Sequence, residues 1–221
     1  MMRKIILSLA LVSMSVHAGV ITPVPTRGGL AANDLSNWGI SSDDLTTVAS
    51  PYSRTSVGGL SVTATHAPDL TVFVQNGLAF TANFAPGEIV LSTFGVDGPI
   101  DIDFASPVRG VGFNIVHENF GSFTGTLDFY GAGNVLFGSV SVNGISSAAN
   151  DGSAPFLGGT SSLRDITRVN VRVNTVLGGR ALAINQMSLL TTDPGDAVPE
   201  PGTIVLVPAA LAGLLFLRKR S

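Results

Sequence analysis

Three aspartates stand close together in Asp97-Gly98-Pro99-Ile100-Asp101-Ile102-Asp103. In a strand, alternation puts Asp101 and Asp103 on one face and Ile100, Ile102 and Phe104 on the other. Carboxylates in this arrangement have three uses. With loop carbonyls, Asp97, Asp101 and Asp103 coordinate calcium. As a pair, Asp101 and Asp103 act as acid and base in glycoside hydrolysis. Otherwise they are the wet side of a strand whose dry side is apolar. The twelve-residue calcium loop of an EF-hand is missing. Asn150-Asp151-Gly152-Ser153 is a second set of oxygen ligands or simply a turn. His117-Glu118-Asn119 lines a groove or forms a surface loop.

Other chemistry is excluded by what the chain lacks. It has no cysteine, which removes thiol catalysis, Cys-ligated zinc and iron–sulfur clusters. Past residue 18 only His66 and His117 remain, too few for a histidine-rich metal site. There is no Gly-x-Ser-x-Gly elbow, phosphate-binding glycine loop or dinucleotide fingerprint. No catalytic residue is therefore assigned, and no cofactor beyond calcium is in question.

The elements that carry these residues are short strands. Leu60, Val62 and Ala64 alternate with Ser61, Thr63 and Thr65. Segments 70–75 and 78–84 flank Asn76-Gly77, a two-residue hairpin signal. Further strands fall at 88–94, 100–104, 108–116, 123–130, 135–142, 166–173 and 180–190. Gly110 and Gly112 mark a strand that something approaches closely. Arg168 to Asn174 is the clearest strand, with Val169, Val171 and Val173 on one face and Arg168, Asn170, Arg172 and Asn174 on the other. Between Ile184 and Met187 the alternation slips, which predicts a bulge. Nine to eleven such strands, with turns every ten or so residues and no helical periodicity, predict an all-β antiparallel β-sandwich of jelly-roll type. Residues 59–190 form this domain. Residues 19–58, with Pro23, Pro25 and a Ser/Thr-rich stretch, are expected to be a leading linker and edge segment, with Trp38 in the core.

The two ends differ from this middle. Arg3 and Lys4 precede an apolar stretch, and Val16-His17-Ala18 is a small-x-small cleavage site before Gly19. Residues 1–18 read as a signal peptide, cut between Ala18 and Gly19 by signal peptidase after passage through the export translocon. At the other end, residues 191–197 are a linker and residues 198–221 fall into three parts. Val198-Pro199-Glu200-Pro201-Gly202 comes first, then an uncharged run from Thr203 to Leu217, then Arg218, Lys219 and Arg220. The fifteen-residue run spans roughly 22 Å as a helix, short of a ~30 Å hydrocarbon core, and contains Pro208. The terminal cations match a stop-transfer segment whose basic end stays in the cytoplasm. Removing both ends leaves seven arginines, no lysine and fourteen carboxylates from 19 to 197, a net charge of −7. That balance excludes a nucleic-acid partner.

The tail resembles the PEP-CTERM sorting signal of Gram-negative envelope proteins. The resemblance rests on V-P-E-P, the short apolar span and the R-K-R end occurring together. It implies an inner-membrane precursor with a transmembrane sorting helix, processing near P-E-P by exosortase, and delivery to the cell surface or matrix. It also implies association with exopolysaccharide or biofilm. Phe104 to Phe113, Phe123 to Tyr130, Ala154 to Gly158 and Ile166 to Val169 are similar to exported β-sandwich domains that precede such tails. The expected role is a non-enzymatic polysaccharide-binding or structural protein. The alternatives are a calcium-dependent carbohydrate-binding module and a glycoside hydrolase.

Overall fold

The computed structural model describes residues 18–39, 45–75, 82–175 and 181–193. The chain divides into two compact units, 1–191 and 192–221, and of the second only Thr192 and Asp193 are described. The signal segment before Ala18, the motif from Val198 to Gly202, the apolar run and the Arg218–Arg220 cluster lie outside the described residues. Among the described residues no helix is long and apolar enough to cross a membrane.

The strands are β1 (Ile21–Val24), β2 (Asp34–Ser36), β3 (Thr46–Ala49), β4 (Tyr52–Thr55), β5 (Ser61–Thr65), β6 (Asp69–Val74), β7 (Ile89–Ser92), β8 (Ile100–Val108), β9 (Gly110–His117), β10 (Gly121–Tyr130), β11 (Leu136–Ser146), β12 (Phe156–Ser161), β13 (Ile166–Thr175), β14 (Leu182–Ile184) and β15 (Met187–Leu190). They form two antiparallel sheets. The six-stranded sheet runs β11-β10-β13-β8-β5-β4. The nine-stranded sheet runs β1-β12-β9-β14-β7-β6-β3, with β15 joining β9 to β2. The inner faces share one core, a β-sandwich. Ile100, Ile102, Val169, Val171, Val173, Leu127 and Phe129 come from the first sheet, and Val111, Phe113, Ile115, Ile184 and Leu189 from the second.

The period-two reading holds where it was clearest. In β13, Val169, Val171 and Val173 are fully buried while Arg168, Asn170 and Arg172 are half-exposed. The predicted bulge is present. β14 and β15 both pair with β9, and the register shifts by one residue between them, across Asn185 and Gln186. The close approach at Gly112 is also seen: a Cβ there would lie 2.4 Å from Phe156 Cζ.

Two expectations need correction. Residues 19–58 are no linker, because they supply β1 to β4. Their strands do sit at edges, with β1 and β3 at opposite ends of the nine-stranded sheet and β4 at one end of the other. Pro23 fits there because an edge strand has a row of N–H groups with no ladder partner, so proline's missing one removes nothing. The hairpin is the second correction. Asn76 and Gly77 are outside the described residues, but β6 pairs with β7, Val74 opposite Ile89, and Ala82 to Phe84 are not strand. Phe84 is fully buried against Phe73 and Val90, so its apolar character serves a second core cluster.

Candidate functional site

The outward face of the six-stranded sheet is a ladder of polar side chains, built by five strands, β5, β8, β13, β10 and β11. Register fixes the rows. In the first, Thr63, Asp103, Arg168 and Tyr130 lie side by side across β5, β8, β13 and β10. In the second, Thr65, Asp101, Asn170, Asp128 and Ser139 run on to β11. Arg172, Thr126 and Ser141 form a third row, and Asn174, Thr124 and Asn143 a fourth. With strands ~4.8 Å apart, the second row is roughly 19 Å wide.

The ladder is cross-bonded. Asn170 Nδ2 donates to Asp101 Oδ1 at 3.0 Å, and Arg168 Nε lies 3.7 Å from the same oxygen, an ion pair longer than a hydrogen bond. Arg168 also stacks on Tyr130, 4.3 Å from the ring centroid. Arg172 clasps Asp128 through both terminal nitrogens, and Ser139 Oγ donates to Asp128 at 2.6 Å. Asp128 is 4% exposed, so its charge needs those donors. Partial burial pushes the Asp103 carboxyl above its usual range; Arg168 pulls it down and Asp101 pushes it up.

The fourth row opens into a groove of about 580 Å³ lined by Phe123, Thr124, Asn143, Gly144, Ile145 and Asn174, among others. Thr124 Oγ1 donates to Asn143 Oδ1 at 2.9 Å. Ile145 is 67% exposed beside these amides. Apolar surface next to paired amides suits a ligand with apolar faces and many hydroxyls. Two residues apart in β11, Asn143 and Ile145 share one face, so an amide and an exposed apolar side chain stand together there.

The predicted candidates fall out as follows. Asp101 and Asp103 share the solvent face. Asp97 lies in the exposed turn before β8. Among the described residues no group of three or more Asp, Glu, His or Cys gathers closely enough to hold a metal ion. Asp101 Oδ1 accepts from Asn170 and lies 3.7 Å from Arg168 Nε. His117 is buried with Nδ1 beside the Asn119 backbone, and the neighbouring Glu118 takes the Ser92 hydroxyl and the Gly95 N–H. Burial pushes the Glu118 carboxyl up while those bonds pull it down. These two residues brace the turns at 93–95 and 118–120. Asn150 to Ser153 is a turn, with Asp151 Oδ1 accepting the Ser153 N–H at 3.0 Å. Ala18 is exposed and Gly19 buried.

A second polar cluster went unseen in the sequence. Arg27 donates to Ser188, Asn114, Asn185 and the Gln186 carbonyl. Asn185 Nδ2 donates to Glu88 at 2.8 Å, and the Trp38 indole to the Asn185 carbonyl at 3.0 Å. Burial lowers the Arg27 pKa and Glu88 raises it. The bulge turns Asn185 inward to complete this network, whose groups satisfy one another.

No family model matches this chain, and no curated protein matches it. Solved structures similar to it include the following two. One is a DUF4465 family protein from Bacteroides caccae, 7% identical, with a TM-score of 0.39 over 78% of this chain and 99% of that one. The other is CsCBM6-3 from Clostridium stercorarium in complex with cellobiose, 10% identical, with a TM-score of 0.33 over 66% of this chain and 94% of that one. Likenesses this remote decide nothing about what this chain binds.

Proposed function

We propose that this chain is an exported, non-catalytic β-sandwich of jelly-roll type that binds polysaccharide on the six-stranded sheet. The observation that carries the reading is the polar ladder leading into the groove of Asn143, Asn174, Thr124 and Ile145. It arrays amides, hydroxyls and guanidinium groups along a flat face, with an apolar patch at one end. Sugar hydroxyls bond to the first and sugar C–H faces pack on the second. Asp101 Oδ1 already accepts from Asn170 and faces the Arg168 guanidinium at 3.7 Å, which ties it into the ladder rather than leaving it free as an acid or base. A glycan array probed with the exported protein tests this. Asn143→Ala and Asn174→Ala should each weaken binding several-fold. Retention unchanged in both removes the groove from the reading, and loss of binding with a chelator restores the calcium-dependent alternative.

The tail supports a sorting route for the same protein. The translocon and signal peptidase handle the N-terminus, Thr203 to Leu217 arrests the chain in the inner membrane, and exosortase cuts near Glu200 to release the domain to the surface or matrix. Glu200→Ala should leave the intact precursor in the inner membrane. Mass spectrometry of the surface fraction decides the point, because a mature protein that keeps Thr203 to Ser221 overturns the processing step.

A further inference from the structure

Gly19 is the first residue of the chain after the predicted signal-peptide cut, and the fold holds it unusually firmly. Its N–H donates to Asp165 Oδ2 at 2.5 Å, across 146 residues of sequence. Val20 N donates to Ser162 Oγ at 3.0 Å, and the Ser162 N–H returns to the Val20 carbonyl at 3.1 Å. β1 then pairs with β12 from Ile21 onward. Only glycine fits at position 19, because a Cβ would lie 2.0 Å from Ser161 Oγ and 3.0 Å from Asp165 Oδ2.

The other carboxylate oxygen is unmet. Asp165 Oδ1 is buried and has no hydrogen-bond partner. A buried carboxylate oxygen without a donor has given up its water and gained nothing in return, which is costly. An amide nitrogen at Gly19 has a single hydrogen, already given to Oδ2. Ala18 and Asp165 both line a cavity of about 420 Å³, together with Pro107, Val135 and Phe137. Arg164 lines it too but directs its Nε to the Pro107 carbonyl at 2.8 Å.

We infer that Asp165 is the receptor for the processed N-terminus: cleavage of the Ala18–Gly19 bond creates an α-ammonium on Gly19 that forms an ion pair with Asp165 and locks edge strand β1. This rests on residues 1–18 being a removable signal peptide. Water adds its oxygen to the Ala18 carbonyl carbon, the C–N bond breaks, and the products are an Ala18 carboxylate and a Gly19 ammonium. The nitrogen goes from one N–H to three, so it keeps Oδ2 and gains a donor for Oδ1. Departure of Ala18 opens the cavity beside the carboxylate for that rearrangement. An amide hydrogen bond to a half-met carboxylate thereby becomes a charge-assisted clasp, about twice as strong as a neutral bond.

The composition makes the test clean. The chain has two lysines, Lys4 in the signal segment and Lys219 in the tail, so the tryptic peptide from Gly19 to Arg27 carries the α-amine and no other amine. The exported protein is purified, its N-terminus identified by mass, and its amines reductively methylated with formaldehyde in the folded state and in urea. The expected mature chain begins at Gly19. Its α-amine should label about tenfold more slowly when folded, equivalent to one unit of pKa, and Asp165→Asn should abolish most of that protection. A mature chain beginning elsewhere overturns the cleavage on which the clasp depends. A chain beginning at Gly19 whose amine labels equally fast folded and unfolded overturns the clasp itself, without any variant. Protection that persists in Asp165→Asn removes Asp165 as the receptor.

Discussion

In the six-stranded sheet, β13 holds Val169, Val171 and Val173 inside and leaves Arg168, Asn170 and Arg172 half in water. In the nine-stranded sheet, β15 is buried at all four positions and β14 at all three. The difference lies in what covers each outer face. Phe84 and Ala154 pack with Phe73, Val90 and Val116 of the nine-stranded sheet, and Leu30 packs with Val24 and Phe156 of the same sheet. The six-stranded sheet leaves Asp101, Asn170 and Arg172 of its ladder half-exposed, with Thr126 and Asp128 buried between them. Similar residue types therefore do different work. Asp101, Asn170 and Arg172 can exchange protein partners for water or a ligand. Asn185 is fully buried and Ser188 nearly so, and both depend on half-buried Arg27 for a donor.

The largest effect should come from the shared core. Val171→Asp places a carboxylate among Ile100, Leu127 and Ile115, and an unpaired buried charge costs several kcal/mol of a typical ~5–15 kcal/mol stability. Urea denaturation should show a chain that is unfolded or close to it. A loss of under about 1 kcal/mol would mean that β13 does not present this face to the core. Arg27→Ala comes next, at about 2–4 kcal/mol, because Asn114, Asn185 and Ser188 lose a common donor, and Asn185 and Ser188 are buried. A cost near that of a surface substitution would erase the contrast between the two polar clusters.

That contrast also explains what was legible in the sequence. A strand with one wet face writes its orientation as alternation, so the inward positions of Val169, Val171 and Val173, and of Ile100 and Ile102, are legible in the sequence. A strand buried on both faces reads as a plain apolar run. Leu182 to Ile184 therefore gave its existence and, through the slip before Met187, its bulge, but not its neighbours. β1 and β2 were missed because their residues, Ile21-Thr22-Pro23-Val24 and Asp34-Leu35-Ser36, are short and interrupted by proline or by Asp34. Their stability comes from pairing with β12 and β15, strands more than a hundred residues away. The acidic cluster was read to the correct face. Its partners Arg168 and Asn170 lie across a strand pairing that no local pattern encodes. Arg27 looked like part of a linker, and nothing near it in sequence points to Asn114 or Asn185.

Arg172→Ala sharpens the comparison at a smaller scale. Alternation alone places Arg172 on the wet side and predicts a loss below about 1 kcal/mol. The structure raises this to about 1–2 kcal/mol, since the Asp128 carboxylate that Arg172 clasps is 4% exposed and keeps only Ser139 afterwards. Arg172→Lys should recover part of the loss by restoring the charge without the two-nitrogen clasp. If Arg172→Ala costs as much as Arg27→Ala, the ladder is as dependent on its own bonds as the covered cluster and has little freedom to exchange them for a ligand.

The smallest effect is a pH dependence confined to the ladder. Asp103 has its carboxyl raised above 3.8, first by desolvation and then by Asp101, with Arg168 opposing. A raised carboxyl binds its proton more tightly in the folded state than in the unfolded one. Its contribution to stability is therefore full below the unfolded value and is lost as pH rises through the folded value. Asp103→Asn cannot titrate. The stability of the native protein minus that of the variant should thus fall as pH is raised from about 3.8. Asp103 is exposed, so the whole change should stay below about 1 kcal/mol. Urea midpoints of both proteins at closely spaced pH values measure the difference directly. A difference that grows with pH would mean that attraction to Arg168 outweighs desolvation and repulsion by Asp101. Asp103 and Arg168 would then form a committed pair, and the first row of the ladder would be closed to a ligand.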